Sequence, residues 1–153
     1  MNCTATPANY KQKAEFLIMT KLIRFLGSMP KTIVAKSAQA FMGQTTELGR
    51  PDIVEYVRQA VSKVDTASVV WAIDSVVPFR RDQHALLRSV KSKVLVVAGE
   101  EDRTFTVTET RRMADAIPGS DFKVLDKLGH LIALEDPERV NQLIDDFLRE
   151  VDF

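Results

Sequence analysis

Residues 93–102 read KVLVVAGEED, and residues 121–130 read DFKVLDKLGH. In the first stretch Val94 to Ala98 is an unbroken apolar run with no polar alternation, the pattern of a parallel strand covered on both faces. It ends at Gly99, and Asp102 follows in the connection. In the second, Phe122 to Leu125 reads as a shorter strand, with Gly129-His130 just after it. Between the two, Thr106-Val-Thr-Glu109 is a capping-box pattern. It opens a helix that presents Thr110, Met113, Ala114 and Ile117 on one face and stops at Pro118-Gly119. Strand, crossover helix, strand gives a right-handed parallel unit, whose functional loops belong at the strand C-termini. Asp102 and His130 both fall there, 28 residues apart.

Working outward, Asp136-Pro137 suits an N-cap and first helical residue. The stripe Val140, Leu143, Ile144, Phe147, Leu148 and Val151 then makes the clearest amphipathic helix in the chain. Upstream of residue 90 only helical patterns occur. Ala14, Ile18, Leu22 and Phe25 form one stripe, widened by Met19, Ile23 and Leu26, and Gly27 and Pro30 end it. A weaker helix spans Ile33 to Met42. Pro51 opens another that carries Ile53, Val54, Val57, Val61 and Val64. Asp65 caps a helix with Val70, Trp71 and Ile73, and Asp82 caps a short one with Leu86, Leu87 and Val90. Helices without a strand point to a lid or cap over a sheet-bearing core, not to the core itself.

The whole chain has 153 residues, enough for one domain with a real core. Lys+Arg and Asp+Glu both number 21, which argues against a nucleic-acid partner. The single cysteine, Cys3, cannot form an internal disulfide and suits a reducing compartment. The opening MNCTATPANYKQK has no apolar signal core, and Phe16–Met19 is broken by Lys21 and Arg24, too early for a membrane span. A cytoplasmic protein is the expectation. Two histidines with one distant cysteine give no metal-ligand spacing, and no cofactor is implied. Cys3 has no strand-turn-helix to hold it as a nucleophile. His84 reads as a surface histidine beside a helix start.

The stretch from KVLVVAGEEDRTFTV to LGHLIALEDPERVNQLIDDFLREV, about 60 residues, resembles the C-terminal part of α/β-hydrolase-fold enzymes. That family places an acid after G-x-x, then a helix, "IPG", a short strand, G-H, and a P-E that opens a final helix. The resemblance implies an α/β chain with a partial α/β-hydrolase fold: a short parallel sheet with flanking helices plus an inserted helical cap. Residues 1–90 would be the cap, with residues 1–7 the end of a preceding sheet strand, and residues 91–153 the C-terminal part of the core. His130 would be the general base and Asp102 the acid that orients it. Glu100 and Glu101 are neighbours of the acid position, and Asp126 is its runner-up. Trp71 and Phe79 are candidates for lining a substrate pocket beneath the cap, with core packing the alternative. The cap's texture is similar to small-molecule esterases and enol-lactonases, so a small ester or lactone is the expected substrate.

The nucleophile of that family sits on a G-x-S-x-G turn, and no serine of this sequence lies in one. The expectation is therefore a chain inactive by itself, complemented by an N-terminal segment or self-associating. A non-catalytic small-molecule binding or interaction module, or an inactive truncated product, is the alternative.

Overall fold

The structure, a computed structural model, describes residues 4–151. Six helices come first: α1 (Tyr10–Leu26), α2 (Lys31–Phe41), α3 (Gln44–Gly49), α4 (Pro51–Lys63), α5 (Thr66–Val76) and α6 (His84–Leu87). Then follow β1 (Leu95–Gly99), α7 (Val107–Asp115), β2 (Asp121–Leu125), α8 (Ile132–Glu135) and α9 (Pro137–Glu150). β1 and β2 pair in parallel, in register from Leu95 opposite Asp121 to Gly99 opposite Leu125.

Local chemistry explains most of the element ends. Thr106 and Glu109 form the reciprocal capping box that the sequence predicts for α7. Asp65 accepts from Ser68 N at 2.8 Å, and Asp136 accepts from Arg139 N at 3.1 Å. Pro51 and Pro137 open α4 and α9, where a missing N–H costs nothing. Gly27 ends α1 at φ 63, the left-handed conformation open to glycine.

Side chains alternate across β1, so its two faces enter different cores. Val96 packs with Met113 and Ala114 of α7, with Ile117 just past it, and with Ala5. Val97 packs with Leu125, Leu128 and Val140, on the side of α9. This is the two-sided burial expected from its continuous apolar run. A third cluster joins Ala38 and Met42 to Ile53 and Val57 of α4, with Leu131 and Leu134 against it. That cluster ties the α2–α4 pair to the chain just after His130.

Two of the apolar stripes are only partly covered. Ala14, Ile18, Leu22 and Phe25 do not face a core: Ile18 is 69% and Phe25 87% exposed. α1 packs on α5 and buries Thr20 and Ile23 instead. The helix is apolar on more than one side. Arg24 Nη2 donates to Asp74 of α5 at 2.8 Å, on the side turned to the partner. In α9 Val140 is buried, but Ile144 and Leu148 at the far edge of the stripe stay exposed. The short helices α3 and α8 were not legible in the sequence, because four to six residues give too little periodicity. Of the proposed strand end at residues 1–7, residues 1–3 lie outside the described residues, as does Cys3. Thr4 and Ala5 are buried but belong to no strand.

Candidate active site

β1 ends at Gly99, and Asp102 N donates to Gly99 O at 3.2 Å, turning the chain back across the sheet end. The carboxylate of Asp102 is thereby brought under the loop that follows β2. Its Oδ1 accepts from Thr104 N at 2.7 Å and Phe105 N at 2.9 Å. Its Oδ2 lies 3.0 Å from His130 Nδ1. The Asp102 side chain has no exposed surface, and that of His130 is 20% exposed. Burial opposes ionisation of Asp102, but the hydrogen bonds with His130, Phe105 and Thr104 outweigh it and hold the carboxyl below the usual carboxylate range. An ionised carboxylate only accepts, so the geometry assigns the neutral imidazole's proton to Nδ1 and directs it to Asp102. That tautomer leaves Nε2 with a lone pair for proton transfer, the arrangement of a general base.

Two rings confine the imidazole. Phe41 stacks on it with centroids 5.8 Å apart, and Phe105 meets it edge-on at 5.3 Å. Neither phenylalanine was singled out in the sequence. No local signal separates them from ordinary core aromatics.

The C-terminal end of α2 and the start of α3 bracket both loops. Thr104 Oγ1 donates to Ala40 O at 3.0 Å, while His130 N and Leu131 N donate to Phe41 O at 3.2 and 3.1 Å. Thr45 donates to Glu101 from both N and Oγ1 at 2.7 Å. The close approach requires two glycines. A Cβ on Gly43 would lie 2.7 Å from Glu101 Oε2 and 2.8 Å from Gly129 N, and one on Gly129 would run into Gly43 N and Met42 C.

The other acidic candidates are engaged elsewhere. Glu101 holds Thr45, and Glu100 Oε2 accepts from Lys127 N at 3.3 Å. Asp126 pairs with Arg139 at 2.7 Å, and that hydrogen bond keeps its carboxyl below the usual range. Trp71, on α5, and Phe79, just past it, are 75% and 67% exposed, so neither is a core residue. His84 is less exposed than a surface histidine. Its Nδ1 lies 2.7 Å from Asp82 Oδ1, in an open groove shared with Arg88, Arg112 and Asp115. Among the described residues no group of three or more His, Cys, Asp and Glu side chains could hold a metal ion, and no helix is long and apolar enough to cross a membrane.

Known proteins share this architecture. Over 66 residues the chain is 32% identical to the 2-hydroxymuconate semialdehyde hydrolase of Pseudomonas putida, a stretch that is 43% of this chain and 24% of that protein. A solved structure of a thermophilic esterase from Thermogutta terrifontis, malate bound, matches 95% of this chain and 53% of its own, with TM-score 0.85 and 29% identity. The enol-lactonase from Burkholderia xenovorans LB400 matches 95% of this chain and 53% of its own at TM-score 0.77; at 16% identity it shows the fold alone. No family model matches the chain. The chain spans about a quarter of the curated hydrolase and about half of the two solved enzymes. With its parallel β1–β2 pair, flanking helices and helical segment before β1, the chain has a partial α/β-hydrolase fold, similar to the C-terminal part of α/β-hydrolase-fold enzymes.

Proposed function

We propose that this chain supplies the acid and the histidine of an α/β-hydrolase that cleaves a small ester or lactone. The observation that carries the proposal is the Asp102–His130 pair, 3.0 Å apart at the ends of two parallel strands. His130 Nε2 takes the proton of a nucleophilic hydroxyl as that oxygen attacks the carbonyl. It then returns the proton to the leaving alkoxide and activates the water that frees the acyl group. Asp102 holds the ring in the Nδ1–H tautomer and stabilises the imidazolium while the proton is on the ring. Residues up to 90 act as the cap, residues 91–153 as the C-terminal part of the core, and Trp71 and Phe79 face the substrate from the cap. The likeness to an esterase at 29% identity and to a 2-hydroxymuconate semialdehyde hydrolase over 66 residues supports the class of chemistry.

The serine and oxyanion donors come from a strand-turn-helix segment with G-x-S-x-G, a pattern absent from these 153 residues. By itself the chain turns over no ester, and it works in the cytoplasm with an N-terminal complementing segment or as a self-associated form. A pure binding module would have no use for a buried, ionised carboxylate fixed on a histidine ring. The test is co-expression with such an upstream segment, followed by assay with p-nitrophenyl esters. Restored activity that His130→Ala or Asp102→Asn abolishes supports the proposal. Activity indifferent to both substitutions, or serine-probe labelling of the chain alone at a single site, sinks it.

A further inference from the structure

We infer that Glu135 is a positioning residue for His130, an inference that rests on reading Asp102 and His130 as acid and base. Glu135 is buried, 5% exposed, at the end of the apolar stretch Leu131-Ile-Ala-Leu134. No arginine, lysine or histidine is paired with it among the ion pairs of the described residues. Instead its carboxylate receives uncharged donors from two directions. Gly129 N donates to both oxygens at 3.1 Å, and Leu131 N donates to Oε1 at 3.1 Å. These are the amides on either side of His130. From the other side Gly43 N donates to Oε2 at 2.9 Å and Thr46 Oγ1 at 2.7 Å.

A carboxylate offers two oxygens with about four acceptor sites and no donor. Four donors converge here, so an ionised Glu135 matches the site and an amide does not: one end of a glutamine would turn N–H groups against N–H groups. The carboxylate fastens the histidine loop to the α2–α3 junction, whose Phe41 carbonyl also takes His130 N and whose Phe41 ring stacks on the imidazole. Backbone on both sides of His130 is thus fixed by one side chain that touches no reacting atom. The consequence is a ring held within reach of Asp102 in one tautomer before any substrate arrives.

The test reads the ring itself, in the full chain and without turnover. Ring-nitrogen and low-field proton NMR of 15N-histidine-labelled protein is compared for wild type, Glu135→Gln, Glu135→Ala, Thr46→Val and Asp102→Asn, with His84 as internal reference. In wild type, His130 shows a protonated Nδ1 with a low-field proton. The expected result is loss of that signal in Asp102→Asn and in both Glu135 variants, a partial shift the same way in Thr46→Val, and an unchanged His84. A wild-type His130 signature in folded Glu135→Gln, even with a lower melting temperature, overturns the inference and leaves the acid–histidine reading intact. If both Glu135 variants fail to fold, an unchanged His130 in Thr46→Val overturns it. An Asp102→Asn spectrum identical to wild type at His130 defeats the acid–histidine reading, and the inference with it.

Discussion

Asp102 and His130 are 28 residues apart in the chain and 3.0 Å apart in space, and the two oxygens of Asp102 divide their work. Oδ1 takes the amides of Thr104 and Phe105 and fixes the carboxylate; Oδ2 is left to face the ring. Asp102→Asn therefore separates two effects. With its oxygen kept in the Oδ1 position, the backbone turn survives, but an NH₂ now faces Nδ1 and forces the other tautomer. We expect a stability loss of about 1–3 kcal/mol, read by urea unfolding. In a complemented enzyme the turnover should fall roughly 10⁴-fold, the scale that the wrong tautomer costs in Ser-His-Asp enzymes.

The same carboxylate predicts an acid limb of stability. Its folded-state pKa is held below the ordinary value, so the native state binds that proton less readily than the unfolded chain. The stabilisation is fully present above the unfolded-state value of about 3.9 and is lost as pH falls through and below it. Melting temperatures measured from pH 7 downward should fall more steeply for wild type than for Asp102→Asn below about pH 4. Parallel curves would show that Asp102 gains nothing from its native partners.

Gly129→Ala should pry the histidine loop from the α2–α3 junction. A Cβ there meets backbone, Gly43 N and Met42 C, which cannot swing aside as a side-chain tip can. The expected loss is about 1–3 kcal/mol, with faster hydrogen exchange at Gly43 and Leu131. Gly49→Ala, at the end of α3, is the control: nothing lies within 4 Å of its Cβ position. It should leave stability unchanged or raise it by up to about 1 kcal/mol.

The two sides of α1 should respond in opposite ways. Ile23 has no exposed surface, so Ile23→Ala should cost about 2–5 kcal/mol in a thermal or urea melt. Phe25, in the exposed stripe with Ile18 and Leu22, should accept glutamate within about 0.5 kcal/mol. An uncovered apolar stripe favours association. Sedimentation of wild type should therefore show concentration-dependent self-association that Phe25→Glu weakens. A monomeric wild type at all concentrations would refute the stripe's role.

What the sequence determined by itself is what rests on near neighbours. The apolar run at Val94–Ala98, the Thr106–Glu109 box, the prolines at 51 and 137 and the position of Asp102 and His130 at strand ends all follow from contacts within a few residues or from a two-fold or 3.6-fold period. The tertiary structure decided everything that depends on which distant surfaces meet. An apolar stripe on α1 specifies that a face can be buried, not that α5 will take Ile23 and leave Phe25 in water. Periodicity was silent on α3, whose place is set by Glu101 and Glu135 drawing in Thr45, Gly43 and Thr46 from more than 50 residues away. It was equally silent on Phe41 and Phe105 around the imidazole, and on the carboxylate of Glu135, because a buried charge is recognisable only once the four donors that satisfy it are in place.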